Sequence, residues 1–253
     1  MRNKYIDVHA HLYLCKEKEN DLLDAAHEAG LTHIVNIAIN IGSSRKVLVT
    51  HQRQPNCLPT VGIHPCETND FDKMGELEDL LKVNHQKIVA IAEIGLDYYW
   101  QQENKAAQQR VFTFQLDLAQ RYKLPVIIHN RKADADIVAI TKNFPEVTKI
   151  FHCFAGGPQL LETLAADNHY FSFTGQITHA KKGKTIQAIK VLDLDHCLIE
   201  TDSPYLTPLA YKGQSNQPAY LPEIAQKIAE VKQIDLRECS QKCYQNSLRL
   251  FVN

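Results

Sequence analysis

The stretch Tyr5-Ile6-Asp7-Val8-His9-Ala10-His11 is the first of eight short apolar runs that recur along the chain and decide its fold. Side chains alternate across a β-strand, so this run predicts a strand with His9 and His11 on one face, about 7 Å apart along it. Two imidazoles on one face can bind the same divalent cation, although two surface histidines can also share a strand by chance. Whether His9 and His11 form part of a metal site depends on which side chains the other seven runs place beside them.

Each of the eight runs is rich in β-branched and apolar residues, and longer amphipathic segments separate them. We predict strands at residues 5–11, 33–39, 58–64, 88–93, 126–129, 149–152, 170–174 and 197–202. Their spacing of roughly 20 to 35 residues is the length of one strand–loop–helix unit. Eight such units in alternation predict an α/β fold, a (β/α)8 TIM barrel with parallel strands, rather than an open sheet.

The intervening segments carry helical periodicity and no low-complexity tract or linker. We predict helices over residues 21–29, ending before Gly30, and over 105–122, 218–232 and 235–251. The one long irregular stretch is 203–217, and a loop of that length in a compact domain is more often functional than idle. Residues 1–253 are therefore expected to form a single domain.

Composition excludes several classes of protein. The chain has 253 residues, 44% hydrophobic and 23% charged, with a net charge of −1, so no global positive field draws it to nucleic acid or anionic membrane. Its seven cysteines are odd in number and include no Cys-x-x-Cys, which suits unpaired thiols in a reducing cytosol. No apolar run approaches the roughly 20 residues of a membrane span. We expect a cytoplasmic protein with no membrane association and no obligate protein partner.

Polar side chains that can bind metals follow six of the eight predicted strands, at the end where barrel enzymes place their active sites. They are His9, His11, His64, Glu93, His129, His152 and Asp202. Any single histidine among them is most simply a hydrogen-bonded core residue, but so many at one position are hard to assign to chance. Leaving His64 aside, four imidazoles and two carboxylates are too many for one tetrahedral zinc ion and suit two cations about 3.5–4 Å apart.

The order of these residues along the barrel suggests their roles. Glu93 lies between the histidines of strand one and those of strands five and six, so we choose it as the carboxylate that bridges the two cations. Asp202 would bind the first metal and hold or deprotonate the attacking water. The mixed nitrogen and oxygen donors favour Zn, Mn, Fe or Co over an ion that prefers oxygen alone.

Six segments of this chain resemble the TatD family of metal-dependent deoxyribonucleases, within the amidohydrolase-like barrels. They are Asp7-Val8-His9-Ala10-His11, Gly62-Ile63-His64-Pro65, Glu93-Ile94-Gly95-Leu96-Asp97-Tyr98, Leu124-Pro125-Val126-Ile127-Ile128-His129-Asn130-Arg131, His152-Cys153-Phe154-Ala155-Gly156 and Glu200-Thr201-Asp202-Ser203-Pro204-Tyr205. The segments span nearly the whole chain in the family's order.

The resemblance implies a ligand set and an activity. The implied metal ligands are His9, His11, Glu93, His129, His152 and Asp202, holding two divalent ions that we expect to be Mg, Mn or Zn. The implied reaction is phosphodiester hydrolysis, an exonuclease-like action on DNA or RNA ends, with single strands favoured.

The chain also departs from the family's pattern. Ala92 stands where the family usually has glycine before the glutamate. In the late loop, Lys212 replaces an arginine and Gln214 replaces a lysine. Lysine is a point charge where arginine can clamp a phosphate with two hydrogen bonds, so these changes bear on substrate binding and not on the metal centre.

Other residues near the predicted site are assigned to substrate binding: His64, Asp97, Arg131, Tyr205 and Lys212. His64 could donate to a phosphate oxygen or protonate the leaving oxygen, with Gly62 leaving room for substrate. Asp97 could orient a histidine or a water molecule, or form a loop turn. Arg131 could contact a phosphate, cap a helix or remain solvated.

Two further groups lie beside these residues in the sequence. Glu200 shares a face with Asp202, and we expect it to accept the free N–H of a ligand histidine. Tyr98, Tyr99 and Trp100 follow strand four and could stack on bases or pack under their loop.

Two other functions remain open at this point. The first is hydrolysis of an amide or ester, such as an aminoacyl-tRNA bond, on the same scaffold. Many enzymes of that kind bridge their metals with a carboxylated lysine on strand four, where this chain has Glu93. The second is a metal-loaded barrel that binds a partner without turnover, which the presence of Asp202 and His64 disfavours.

Overall fold

A computed structural model describes residues 3–166 and 168–252, and in that part of the chain eight strands alternate with nine α-helices. The strands are Tyr5–Ala10 (β1), Leu31–Asn36 (β2), Cys57–Val61 (β3), Ala90–Asp97 (β4), Val126–Arg131 (β5), Lys149–Phe151 (β6), His169–Phe173 (β7) and Cys197–Ile199 (β8). The helices are Glu19–Glu28 (α1), Ile41–Arg53 (α2), Met74–Asn84 (α3), Lys105–Tyr122 (α4), Asp134–Thr141 (α5), Pro158–Leu164 (α6), Lys184–Val191 (α7), Leu221–Lys232 (α8) and Leu236–Phe251 (α9).

The eight strands form one sheet in the order β1 to β8, the order in which they occur in the chain. The strand pairs β1–β2, β3–β4, β4–β5, β5–β6 and β7–β8 are all parallel. A parallel sheet in sequential order with a helix between successive strands is the arrangement of a (β/α)8 barrel. The predicted fold class is confirmed.

The chain divides into two compact units. The terminal unit comprises the described residues of Met1–Asn36, Cys153–Ala165 and Tyr170–Asn253, and the central unit comprises Ile37–His152 with the described residues of Ala166–His169. In the terminal unit the segment that follows β8 returns to β1, because Ala10 and Ser203 form a parallel bridge. The central unit contains β3 to β6.

Local signals place the helix ends. Helix α1 is followed by Ala29 and then Gly30, whose φ of +96° favours glycine, and the Gly30 N–H donates to the His27 carbonyl. Asp235 caps α9, because its side chain accepts a hydrogen bond from the Arg237 N–H. No helix in the described residues is both long enough and apolar enough to cross a membrane.

Strand ends differ from the prediction at the residues that matter most. Strand β4 continues past Glu93 to Asp97, because its ladder with β5 extends to the pair Asp97 and Arg131. Strands β3 and β8 instead end at Val61 and Ile199, three residues before His64 and Asp202 respectively. The predicted strand ends follow the sequence, where an apolar run gives way to a polar residue. The observed ends are set by backbone hydrogen bonds, which cease where one strand separates from the next.

Candidate metal centre

In the terminal unit three of the predicted ligands converge. The Nε2 atoms of His9 and His11 lie 3.3 Å apart. The Oδ1 atom of Asp202 lies 3.5 Å from the first and 3.4 Å from the second. His9 is completely buried and His11 nearly so, which leaves little room for water between the three atoms.

The spacing of these three atoms fits a bound cation. Two ligand atoms at about 2.0–2.1 Å from a tetrahedral zinc ion are about 3.3–3.4 Å apart. The three observed separations, 3.3, 3.5 and 3.4 Å, lie at or within about 0.1 Å of that value. Two imidazole nitrogens and a carboxylate oxygen are also a donor set that a divalent transition metal accepts.

Backbone hydrogen bonds hold the three ligands in place. The Asp202 N–H donates to the His9 carbonyl at 2.8 Å, and the His11 N–H donates to the Ser203 carbonyl at 2.8 Å. Asp202 has a φ of +57°, a left-handed conformation that aspartate tolerates better than most residues. The turn after β8 is therefore fixed against β1 on both sides of Ala10, between the two histidines.

Beneath the ligands, Asp7 ties β1 to the same turn. It is completely buried, and its carboxyl accepts hydrogen bonds from the Thr201 N–H at 2.9 Å and the Thr201 hydroxyl at 2.5 Å. Burial raises the pKa of Asp7 to about 7, against the opposing effect of the hydrogen bonds from Thr201 and the His9 N–H. The sequence pattern did not predict this role, although Asp7 lies on the same face of β1 as His9.

Glu200 lies beside His9 in the terminal unit. Its Oε2 atom is 3.8 Å from His9 Nδ1, within the range of an ion pair but longer than a hydrogen bond, and its Oε1 accepts from the Cys153 N–H at 2.6 Å. A carboxylate behind a ligand histidine fixes the orientation of the ring.

In the central unit three histidines surround a single oxygen of Glu93. The Oε1 atom lies 2.9 Å from His129 Nδ1, 3.5 Å from His64 Nε2 and 3.7 Å from His152 Nε2. Burial alone would raise the pKa of Glu93, but the charges of His64 and His152 and the hydrogen bond with His129 hold it well below its usual range. Glu93 is therefore an anion with nitrogen donors on several sides.

Asp97 lies on the other side of His129. Its Oδ2 atom is 3.0 Å from His129 Nε2, while its Oδ1 accepts from the N–H groups of Tyr99 and Trp100 at 2.9 and 2.8 Å. Burial would raise the pKa of Asp97, but the hydrogen bonds from His129 and the two N–H groups lower it to about 2. Asp97 thus contacts His129 with one carboxylate oxygen and closes a loop turn with the other.

Two glycines let the strands that carry these groups approach closely. A Cβ atom on Gly95, whose φ is +137°, would overlap the carbonyl of His129 on β5. A Cβ atom on Gly62 would overlap the carbonyl of Ala92 on β4. The absence of a side chain at Gly62 thus serves strand packing, which corrects the expectation that it leaves room for substrate.

The predicted substrate-binding residues differ in their surroundings, and only some of them lie beside predicted ligands. His64, which is not among the six predicted ligands, joins Glu93 and His129 in a group of donor atoms within 4.8 Å of one another that could hold a metal ion. Tyr205 is exposed, with its ring 6.3 Å from that of His11. Lys212 is exposed, and its side chain forms no hydrogen bond or ion pair with the described residues. Arg131 stacks over the Tyr99 ring, its guanidinium carbon 4.3 Å from the ring centroid.

The late loop contains a further residue that sequence reasoning missed. Asn216 is completely buried, and its side-chain amide donates to the carbonyls of Thr201 and Tyr205 on either side of Asp202. Gln214, where the family has lysine, accepts from the Tyr220 hydroxyl at 2.9 Å. An asparagine in a loop otherwise rich in Gly, Pro and Ser was the available signal for the first contact.

Among the described residues, each unit brings three predicted ligands together. They are His9, His11 and Asp202 in the terminal unit, and Glu93, His129 and His152 in the central unit.

Comparison with known proteins relates the chain to TatD-related proteins and to metal-dependent hydrolases. The family model described as TatD related DNase matches residues 6–252. The chain is 34% identical to a Bacillus subtilis protein named as the uncharacterized metal-dependent hydrolase YabD, over 97% of this chain and 98% of that protein. It is 31% identical to the uncharacterized metal-dependent hydrolase YcfH of Escherichia coli K12, over 97% and 95% of the two chains. The crystal structure of YJJV, a TatD homologue from Escherichia coli K12, superposes with a TM-score of 0.93 at 27% identity, covering 99% of both chains.

Proposed function

The chain belongs to the TatD-related DNase family of metal-dependent hydrolases, and from that premise we propose that it hydrolyses phosphodiester bonds at the ends of DNA or RNA, with single strands favoured. The observation that carries the proposal is the convergence of His9 Nε2, His11 Nε2 and Asp202 Oδ1 at the spacing of a cation's ligands. We infer the nucleic acid substrate from the name of the family. The two relatives given above are named as uncharacterized metal-dependent hydrolases, without a stated substrate.

We propose two divalent cations, Mg, Mn or Zn, bound by the ligand set His9, His11, Glu93, His129, His152 and Asp202. Support comes from the convergence of His9, His11 and Asp202 in the terminal unit and of Glu93, His129 and His152 in the central unit. Bound at such a site, divalent cations stabilise charge on a phosphoryl oxygen and supply hydroxide at neutral pH.

Each remaining residue has a role in this proposal. Asp202 holds the attacking water and accepts its proton, and His64 protonates the leaving oxygen. Asp97 orients His129, and Glu200 orients His9. Arg131, Tyr205 and Lys212 contact the substrate.

The match of the family model over residues 6–252 supports a single domain over residues 1–253. None of the seven cysteines, all of which lie within the described residues, forms a disulfide, and this supports a reducing cytoplasmic location. The proposal includes no membrane and no obligate protein partner.

The test is hydrolysis of end-labelled single-stranded DNA by protein stripped of metal and then supplied with Mg, Mn or Zn. We expect progressive shortening from the ends, abolished in Glu93→Ala and in Asp202→Ala and retained in Glu162→Ala, which removes an exposed carboxylate elsewhere. Equal activity in all the variants would mean a contaminating nuclease and would reject the proposal. Turnover of p-nitrophenyl esters without any cleavage of DNA or RNA would favour the amide or ester hydrolase, and tight metal-dependent binding without turnover would favour a binding protein.

A further inference from the structure

Two large aromatic side chains are exposed directly after β4. Tyr99 is 47% exposed and Trp100 is 64% exposed, whereas the preceding Tyr98 is 9% exposed and donates its hydroxyl hydrogen to Asp136 at 2.6 Å. Exposure of this much aromatic surface is unfavourable in water unless something covers it. Tyr98 is thus held by contacts inside the protein, whereas Tyr99 and Trp100 present ring surface to solvent.

The guanidinium of Arg131, at the end of β5, lies close to both exposed rings. Its guanidinium carbon lies 4.3 Å from the Tyr99 ring centroid and 5.4 Å from that of Trp100. The two rings meet edge to face, 4.8 Å apart with an interplanar angle of 85°. Among the described residues no carboxylate forms an ion pair with Arg131, so its charge is available to an anion. We call Tyr99, Trp100 and Arg131 the aromatic–arginine platform.

The platform is joined to the candidate metal centre through Asp97. One oxygen of Asp97 accepts the N–H groups of Tyr99 and Trp100, and the other contacts His129, which contacts Glu93. Asp97 is also the register partner of Arg131 across β4 and β5. The backbone at the platform is therefore fixed relative to His129 and not free to drift with the loop.

We propose that the aromatic–arginine platform binds an unpaired nucleobase of a single-stranded nucleic acid beside the bond to be cleaved, with the Arg131 guanidinium contacting the adjoining phosphate. The inference rests on the proposed function, because it names the part of the nucleic acid that this site receives. A flat ring surface beside an uncompensated cation matches a nucleotide, which carries a flat base and an anionic phosphate. A base must leave its duplex neighbours before it can stack on protein rings, so the platform selects single strands and frayed ends.

Trp100 is the only tryptophan in the chain, so its fluorescence reports directly on the platform. Protein in EDTA, which prevents cleavage, is titrated with a 12-residue oligothymidylate and with an abasic oligomer of the same length. We expect strong quenching by the oligothymidylate and little by the abasic oligomer. Equal quenching by both would overturn the inference, because backbone charge alone would then explain binding.

Variants separate stacking from general surface effects. Binding of a fluorescein-labelled oligothymidylate, followed by anisotropy, should weaken about 5- to 100-fold in Trp100→Leu, which keeps an apolar side chain without a π-face. The matched variant Trp100→Phe keeps an aromatic face and should bind within about threefold of the parent. Binding by Trp100→Leu as tight as that of the parent protein would also overturn the inference.

A cleavage assay distinguishes failure of this inference from failure of the proposed function. The substrates are single-stranded oligonucleotides whose terminal residue is either thymidine or an abasic site. Equal cleavage of both by the parent and by Trp100→Leu would reject the platform and leave the phosphodiesterase standing. Base-dependent quenching without any cleavage of either substrate would reject the phosphodiesterase and leave the platform as a nucleic acid binding site.

Discussion

Asp7 is a completely buried carboxyl whose hydrogen bonds position ligands that lie beyond it in the chain. It accepts from the Thr201 N–H, the Thr201 hydroxyl and the His9 N–H, and so joins β1 to the turn that carries Asp202. A buried donor that loses its acceptor destabilises the fold more than the net value of the hydrogen bond suggests. The Asp7 side chain thus contributes both to the stability of the protein and to the geometry of the His9, His11 and Asp202 group.

We expect Asp7→Ala to lower the free energy of unfolding by about 2–5 kcal/mol, since it leaves buried donors that cost about 1–3 kcal/mol each. Asp7→Asn, which keeps one acceptor oxygen, should lose clearly less. Urea denaturation of the three proteins measures the difference. Unfolding of Asp7→Ala at the same urea concentration as the parent would contradict this account of Asp7.

Asp97 couples His129 to the aromatic–arginine platform, so its removal should affect both. In Asp97→Ala the His129 ring loses an oriented partner, and we expect kcat/KM on single-stranded DNA to fall about 10- to 100-fold. Quenching of Trp100 by oligothymidylate should fall in the same variant, because the N–H groups of Tyr99 and Trp100 lose their acceptor. Full activity with unchanged quenching would show that Asp97 is only a loop residue.

At the scale of elements, the approach of β4 to β5 depends on Gly95. We expect Gly95→Ala to destabilise the protein and to lower its activity, because the new Cβ would overlap the His129 carbonyl and the φ of +137° is strained for alanine. Gly75→Ala in α3 is the matched control, since nothing lies within 4 Å of its added Cβ. Alanine there should be neutral or stabilise by up to about 1 kcal/mol.

Thermal unfolding and the hydrolysis assay on both glycine variants give the comparison. Equal losses in Gly95→Ala and Gly75→Ala would mean that a general effect of the substitution, and not the strand approach, is responsible.

The sequence predicted which elements exist better than where they end. All eight strands were predicted, because each apolar run is buried and separated from the next by a helix. The predicted strand ends at Glu93 and His64 were wrong, because backbone hydrogen bonds between strands do not depend on whether a side chain is polar. The role of Gly62 was wrong for the same reason, because it depends on the backbone of Ala92 in another strand.

For the molecule as a whole, the candidate ligands could be predicted from the sequence, but the residues that hold them in position could not. Histidines and carboxylates after apolar runs are visible in one dimension, as at His129 and Asp202. Asp7, Thr201 and Asn216 act through contacts that are far apart in the sequence, which no local pattern encodes.

Lys149, at the start of β6, is a completely buried charge outside the candidate site. Its ammonium group donates to the carbonyls of Phe144 and Val147 at 2.7 and 2.8 Å, and burial lowers its pKa from 10.5 to about 8. A lowered pKa means that the unfolded chain keeps the proton between about pH 8 and 10.5 while the folded chain has lost it. The contribution of Lys149 to stability therefore rises with pH across that range.

We expect the difference in unfolding free energy between the parent and Lys149→Met to grow in favour of the parent between pH 7.5 and 10, by up to about 3 kcal/mol. Urea denaturation at several pH values measures it, and the comparison cancels the titration of cysteines and tyrosines common to both proteins. A difference that stays constant or shrinks with pH would show that Lys149 remains charged in the folded protein.

Metal binding should also appear in the stability of the whole molecule, because a ligand that binds only the folded state stabilises it by mass action. At a free metal concentration of about 100 times the dissociation constant, the gain is about 2.7 kcal/mol, or about 5–10 °C in Tm for a chain of this size. We expect Mn or Zn to raise the Tm of EDTA-stripped protein by that amount, and the double variant His9→Ala, His11→Ala to lose most of the rise. His27→Ala, which removes an exposed histidine on α1, is the control and should keep it. An equal rise in all three proteins would place the binding elsewhere, and no rise in the parent would argue against the convergence of His9, His11 and Asp202 as a cation site.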